Sequence, residues 1–188
     1  MHIRLDGISS WPDGRKPHAV AEGLAAIYGS ANYDRLKRGL RALIRGMKGR
    51  NAEDRLHEFV RTLEALIKPE ISKTKRQFVH RCQTFAVASQ DSKNILDECY
   101  EIQNTVEHMH PWKNALLRRA PKDRESIPLQ RLRQIESLAL TVYQRITTSA
   151  QHAAIFRGGE ADIDAFWQKR DDERAQEWGA ESDLTTIA

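Results

Sequence analysis

Cysteine is scarce in this chain and long apolar runs are absent, and both deficits limit what the protein can be. Its two cysteines, Cys82 and Cys99, stand far from any C-x-x-C spacing and fall on predicted buried helix faces, where a free thiol packs as a small apolar group. No run of about eighteen apolar residues occurs, and residues 1–16 are rich in charged and turn-forming residues. We therefore expect a protein of the reducing cytoplasm, with neither a membrane-spanning helix nor an export signal.

Strand patterns and internal repeats are also missing. No segment alternates apolar and polar residues between turn signals, and no motif recurs at a fixed period. Apolar residues recur instead at spacings of three and four, which predicts an all-α fold of about six or seven helices. The helical segments cover residues 19–29, 36–47, 51–68, 72–85, 91–110, 129–146 and 163–178.

A chain of 188 residues with 40% hydrophobic content is expected to form one domain around a single core. We place this helical domain at residues 18–178. Glycine and proline punctuate residues 1–17, which are predicted to form an irregular arm anchored by Trp11. Residues 111–128 are predicted to form a mobile basic loop, and residues 179–188 a frayed tail.

The chain is mildly basic. It has 30 Lys and Arg against 26 Asp and Glu, a net charge of +4, which permits a nucleic-acid ligand without requiring one. Two predicted helices carry basic outer faces, over residues 35–45 and 73–81. Such faces are most often solvated surface, and contact with an RNA backbone is the alternative.

A polar cluster lies at the end of the fifth predicted helix, over residues 100–112. The apolar residues of this helix predict one buried stripe, made of Ile95, Cys99, Ile102, Val106 and Met109. The polar residues predicted outside that stripe are Gln103, Asn104, Glu107 and His108. The helix is expected to end near His110, because a residue that precedes proline is disfavoured in the α conformation.

Three segments, in order and spacing, resemble the HEPN superfamily of helical RNA-cleaving and nucleotide-binding domains. They are the strong helix at residues 54–67, a basic helix containing Phe78-Val79-His80-Arg81, and Tyr100-Glu101-Ile102-Gln103-Asn104-Thr105-Val106-Glu107-His108. The family signature is an arginine, usually followed by a polar residue, and then a histidine after four to six intervening positions. Asn104 and His108 fit this signature, and Gln103 stands in the place of the arginine. The resemblance covers roughly residues 50 to 112.

The resemblance implies metal-independent cleavage of RNA, in which the ribose 2′-hydroxyl attacks the adjacent phosphate. It assigns proton transfer to His108, and to Asn104 the orientation of His108 or of the phosphate. Gln103 can donate a hydrogen bond but carries no charge, which implies reduced or lost catalysis. Residues 103 and 108 diverge by roughly 140° around one helix. A homodimer, in which two copies of the helix meet, would supply the missing neighbours.

Arginines on other helices could supply the missing charge, and the candidates for RNA binding are Arg55, Arg76 and Arg81. Glu64 lies inside the strongest apolar helix. It is a solvated glutamate by default, and the alternative is an inward-facing carboxylate that orients a site residue. His108 and His110 lack a third ligand at a recognisable spacing, so we expect no metal and no cofactor.

Two interpretations of function follow. The first is an HEPN-like RNA-binding domain that is a weak or inactivated metal-independent endoribonuclease. The absent arginine favours the second, a non-catalytic helical interaction and dimerisation module of a toxin–antitoxin or defence system, with a protein as its partner.

Overall fold

The computed structural model describes residues 17–30, 34–156, 159–179 and 181–187, and this part of the chain is all-helical, as predicted. Within these ranges there are nine α-helices rather than six or seven. They are α1 (Pro17–Gly29), α2 (Asp34–Lys48), α3 (Ala52–Ile67), α4 (Thr74–Cys82), α5 (Gln90–Glu107), α6 (Ser126–Thr148), α7 (Ala150–Ala154), α8 (Glu160–Gln168) and α9 (Asp171–Trp178). Apart from Pro17, the predicted arm at residues 1–17, with Trp11, lies outside the described residues. Among the helices described, none is both long and apolar enough to cross a membrane.

Helix α3 forms the centre of the fold. The side chain of Asn51 caps its first turn by accepting hydrogen bonds from the N–H groups of Glu53 and Asp54, at 2.8 and 3.4 Å. Its apolar face is fully buried against α2, α5 and α6, through Leu56, Phe59, Val60, Leu63, Leu66 and Ile67. Burial of each such side chain contributes roughly 1.5–3 kcal/mol, so α3 is the element around which the neighbouring helices pack.

Helix α2 lies directly against α3 at two glycines. A Cβ atom at Gly39 would lie 3.0 Å from the carbonyl oxygen of Thr62 and would overlap the hydroxyl of Tyr143. A Cβ atom at Gly46 would lie 2.9 Å from the ring of Phe59. Any larger residue would push the helices apart, so the two glycines hold the basic face of α2 at a fixed distance from α3.

Helix α5 ends earlier than the sequence predicts. It begins at Gln90, where the Ser89 hydroxyl accepts a hydrogen bond of 3.0 Å from the Ser92 N–H, and His108 is the cap residue at its other end. Met109 then has a left-handed backbone conformation, with φ of 60°, and its side chain is 90% exposed. The prediction that Met109 continues the buried stripe is therefore wrong, because the helix has already ended.

The predicted basic loop over residues 111–128 has regular structure. Short 3-10 helices cover Trp112–Leu116 and Pro121–Asp123, and α6 begins at Ser126. Leu116 is buried in the core. This apolar contact ties the first of these turns to the fold.

The C-terminal segment is packed onto the domain, unlike the frayed tail that the sequence predicts. Ser182 forms backbone hydrogen bonds with Phe85 and Val87, at 3.1 and 2.9 Å. Leu184 is 1% exposed, and its carbonyl oxygen accepts a hydrogen bond of 2.9 Å from the Gln134 side chain. One buried leucine and paired backbone groups are enough to dock a short segment of this kind.

Both cysteines are free thiols in the core, as their positions on apolar helix faces predict. Cys82 and Cys99 are fully buried. Burial raises the pKa of the Cys99 thiol to about 12. Such a thiol stays protonated, which suits a role in packing rather than in chemistry.

Candidate nucleic-acid interface

Gln103 is buried against α3, which corrects its predicted place outside the buried stripe. Its side chain is 4% exposed. The amide N–H donates a hydrogen bond of 2.9 Å to the carboxylate of Glu107, and the same nitrogen lies 3.4 Å from Nδ1 of His57 on α3. The amide oxygen is buried with no hydrogen-bond partner in the described part of the chain. The buried face of α5 is wide because both α3 and α6 pack on it.

Asn104 and His108 lie on the exposed side of the end of α5. The backbone N–H of His108 donates a hydrogen bond of 3.3 Å to the carbonyl oxygen of Asn104. Since Gln103 is buried and His108 is exposed to solvent, a single chain does not bring the three predicted catalytic residues together. Their catalytic roles stay predictions.

Two of the three arginines predicted to bind RNA make contacts within the fold. Arg55 donates a hydrogen bond of 2.6 Å to the carboxylate of Glu136 on α6. Arg81 donates to the carbonyl oxygens of Ile67 and Lys68, at 2.7 and 2.9 Å, and so satisfies acceptors at the end of α3. Both guanidinium groups therefore have partners that a phosphate would have to replace.

The third, Arg76, is exposed and lines an open groove of about 900 Å³ along α4. Much of the positive charge in this groove is paired. Lys75, for example, forms an ion pair with Asp97 at 2.9 Å. Arg76 has no ion pair with any described residue, so it is the predicted arginine that is most available to a ligand.

A second groove, of about 450 Å³, lies between α2 and α3 and is lined mainly by arginine. We call it the arginine groove. Its lining residues are Arg35, Arg38, Arg41, Ala42 and Arg45 from α2, Arg61, Glu64 and Ala65 from α3, and Pro69 and Thr74 beyond α3. Five guanidinium groups around one concave surface concentrate positive potential there.

Two of the five arginines are held by the protein. Arg45 donates two hydrogen bonds of 2.9 Å to the carboxylate of Glu58. Arg35 donates to the backbone carbonyl oxygens of Ala65 and Glu64, at 3.1 and 3.3 Å. These contacts tie α2 to α3 along one wall of the groove.

The other three arginines are Arg38, Arg41 and Arg61. All three are exposed, and none has an ion pair or hydrogen bond to another residue in the described ranges. Arg38 and Arg41 are separated by a rise of about 4.5 Å along α2, so both can reach the same ligand. Three unpaired guanidinium groups on rigid helices can bind phosphate oxygens in pairs.

Among the described residues that line the groove, Glu64 carries the only carboxyl group, and it is half-buried. Burial raises its pKa to about 7, an effect to which the carboxylate of Glu107 adds and which Arg61 and Arg35 oppose. The sequence allows two alternatives for Glu64, a solvated glutamate and an inward-facing carboxylate. Its burial favours the inward-facing one. Near neutral pH it is divided between its charged and neutral forms.

Polar residues of α3 and α5 face each other beside the arginine groove. The residues on α3 are His57 and Glu64, and those on α5 are Tyr100, Gln103 and Glu107. Burial raises the pKa of the Tyr100 hydroxyl, and the charge of Glu64 raises it further. Glu64 thus connects the predicted site on α5 with the arginine groove.

The sequence singled out the basic face of α2 but missed Arg61. The available signal was its spacing, since Arg61 is three residues before Glu64 and four after His57, on one face of the most strongly periodic helix. That spacing places the three residues on the same face of α3. It does not predict that α2 brings its arginines to the same face.

In the part of the chain that the structure describes, no three His, Cys, Asp or Glu side chains are arranged to hold a metal ion. Comparison of the chain with models of known protein families, with curated proteins and with solved structures gives no match. The resemblance to the HEPN superfamily therefore stays a prediction from the sequence.

Proposed function

We propose that this chain is an HEPN-like RNA-binding domain and that the arginine groove holds the phosphate backbone. The observation that carries the proposal is the set Arg38, Arg41 and Arg61, three exposed arginines that form no ion pair and no hydrogen bond with a described residue. A guanidinium group matches two phosphate oxygens, so three such groups around one concave surface suit a ligand with several phosphates. The resemblance to RNA-cleaving domains favours RNA among the polyanions.

Binding of this kind follows from charge and is largely independent of base sequence. Contacts to phosphate fix the position of a strand and release its condensed counterions, so affinity falls steeply with salt concentration. The groove is built on two packed helices, α2 and α3, and needs little reorganisation to accept a strand.

The test is fluorescence anisotropy with a labelled single-stranded RNA of about twelve nucleotides over a series of salt concentrations. The triple variant Arg38→Ala, Arg41→Ala, Arg61→Ala should bind more weakly. It should also lower the slope of log K against log salt by about 2, because each lost phosphate contact on a single strand removes roughly 0.7.

A matched control removes the same net charge elsewhere. Arg50, Arg118 and Arg133 are exposed and do not line the groove. Their triple alanine variant should keep the wild-type salt slope. Equal losses in the two triple variants would show that only net charge matters and would contradict a specific groove.

Cleavage is a separate part of the proposal. Gln103 stands where the motif has arginine, and its amide is engaged with Glu107. The protein is therefore proposed to be a weak or inactivated metal-independent ribonuclease, in which His108 and Asn104 keep the positions of the motif.

The alternative is a non-catalytic interaction and dimerisation module of a toxin–antitoxin or defence system. Exposed apolar side chains after α5 favour it, since Met109 is 90% and Leu117 is 67% exposed. If a second copy of the chain covers them, light scattering should give a dimer that Met109→Ser with Leu117→Ser dissociates. A monomer at high micromolar concentration would contradict the homodimer.

A further inference from the structure

The arginine groove contains a carboxyl group that works against the ligand proposed for it. Glu64 lines the groove, yet its side chain has no hydrogen bond and no ion pair with any residue in the described ranges. An ionised carboxylate beside bound phosphate is repulsive, so a groove that only had to hold phosphate would be better without it. The side chain is free to contact a ligand, and the question is which ligand group would favour it.

We infer that Glu64 contacts the ribose 2′-hydroxyl of bound RNA and so makes the arginine groove prefer RNA over DNA. This inference rests on the proposed function and names the feature of the strand that the groove reads. The 2′-hydroxyl lies on the sugar between successive phosphates, and it is the group that distinguishes RNA from DNA.

The selectivity arises from one repulsion and one compensation. The charge of Glu64 repels the phosphates of RNA and of DNA alike. Only RNA offers a hydroxyl that can donate a hydrogen bond to the carboxylate, and a hydrogen bond to a charged acceptor is among the stronger ones. DNA is repelled by the Glu64 charge and gains no such hydrogen bond. The groove thus discriminates against DNA by an unfavourable contact with the wrong partner.

The environment of Glu64 makes this selectivity depend on pH. Titratable and charged groups reach it from each surrounding helix: Arg35 on α2, Arg61 on α3, Cys82 on α4, and Tyr100 and Glu107 on α5. Burial raises the pKa of Glu64 to about 7, with Glu107 adding to the effect. Below that pH the neutral carboxyl group repels neither strand. Above it the charged form repels DNA without compensation, so the preference for RNA should grow as pH rises.

The experiment compares oligouridylate, oligodeoxyuridylate and 2′-O-methyl oligouridylate of equal length by anisotropy at pH 6 and pH 8.5. Oligouridylate and oligodeoxyuridylate differ only at the 2′ position. The wild-type protein should prefer oligouridylate by about tenfold at pH 8.5 and by less at pH 6. The 2′-O-methyl strand, which has no donor there, should bind like the deoxy strand.

Variants at one position separate the charge from the hydrogen bond. Glu64→Leu removes both and should bind the ribose and deoxyribose strands with equal affinity at either pH. Glu64→Gln removes the charge, and its RNA preference should no longer change with pH. Asp54→Asn, an exposed carboxylate of α3 that does not line the groove, should behave as wild type.

Three results would overturn the inference while leaving RNA binding intact. They are equal wild-type affinity for the ribose and deoxyribose strands at pH 8.5, tight binding of the 2′-O-methyl strand, or a full RNA preference in Glu64→Leu. The first two results are measured on the wild-type protein, so they can still overturn the inference if Glu64→Leu does not fold. If the wild-type protein binds none of the strands, the proposed function itself fails.

Discussion

Gln103 donates a hydrogen bond of 2.9 Å to the carboxylate of Glu107, four residues further along α5. The charge of Glu107 in turn helps to raise the pKa of Glu64 on the facing helix α3. Position 103 is therefore linked to Glu64 through the charge of Glu107. A cation there would pair with Glu107 more strongly than an amide does, and it would offset the charge that acts on Glu64.

The variant Gln103→Arg should return the pKa of Glu64 towards its ordinary value of 4.5. A guanidinium group paired with Glu107 offsets the negative charge that helps to raise the Glu64 pKa, so the charged form of Glu64 becomes more favourable. The measurement is an NMR titration of the glutamate side-chain carboxyl carbons. Gln103→Met, similar in length and uncharged, should leave the pKa raised, and a Glu64 pKa that stays near 7 in Gln103→Arg would contradict the prediction.

The same variant tests the resemblance to RNA-cleaving domains. With a phosphate donor restored at the arginine position of the motif, Gln103→Arg should cleave single-stranded RNA in chelator faster than wild type. The double variant Gln103→Arg, His108→Ala should lose that activity. A folded Gln103→Arg protein that leaves RNA intact between pH 6 and 8 would remove the case for a ribonuclease.

The stability of the protein should fall as pH rises from about 4.5 to about 7 because of Glu64. Its pKa is about 7 in the folded state against an ordinary 4.5, so between these values the unfolded chain releases a proton that the folded protein keeps. The loss in the free energy of unfolding levels off above pH 7, at no more than ~3 kcal/mol. Urea unfolding of wild type and Glu64→Gln at pH 5, 6 and 7.5 measures it.

In Glu64→Gln this part of the pH dependence should be absent, because the amide does not titrate. The histidines and the other carboxyl groups are common to both proteins and cancel in the comparison. Parallel stability profiles for the two proteins would show that Glu64 titrates alike in the folded and unfolded states.

Breaking the buried ion pair between Glu98 and Arg131 should destabilise the protein, whereas replacing both residues with apolar ones should cost little stability. The Arg131 guanidinium lies 2.7 Å from the Glu98 carboxylate, and both residues are less than a tenth exposed. Arg131→Met leaves Glu98 with Arg119 as its remaining partner, at 2.6 Å, and should lower the free energy of unfolding by roughly 3 kcal/mol. The double variant Glu98→Leu, Arg131→Met should recover much of this loss in chemical denaturation. A double variant as unstable as the single one would contradict the argument.

Gly39→Ala should destabilise the protein by roughly 1–3 kcal/mol, because its methyl group would meet Thr62 and Tyr143. Gly29→Ala is the control, since a Cβ atom there meets nothing within 4 Å. It should be neutral or slightly stabilising. Thermal melts of both variants make the comparison. Similar melting temperatures would show that α2 can move away from α3 without cost.

Periodicity predicted the main helices well, because each buries one apolar face against a neighbour. It did worse where a single contact decides the structure. The docked tail depends on Leu184 and on backbone pairing with Phe85, about a hundred residues away, and neither is a local signal. The turns within residues 111–128 were missed for a similar reason, since the first of them is anchored by contacts with the core, chiefly through Leu116.

The candidate site was predictable in composition but not in arrangement. The sequence singled out Gln103, Glu64 and the arginines of α2 by residue type. It could not predict that α3 covers Gln103, nor that Glu58 pairs with Arg45 while Arg38 has no ion pair with a described residue. Which polar groups are paired depends on helix packing, and a one-dimensional pattern records only which face each residue is on.

The glycine contacts that seat α2 on α3 also bear on the thermodynamics of binding. Since Gly39 and Gly46 let the two helices meet closely, the backbone around the arginine groove loses its conformational entropy when the protein folds. A strand that enters such a preformed groove buries little new apolar surface, so the heat capacity of binding should be small. The favourable free energy would come mainly from the entropy of counterions released from the RNA, and affinity would then respond strongly to salt and only weakly to temperature.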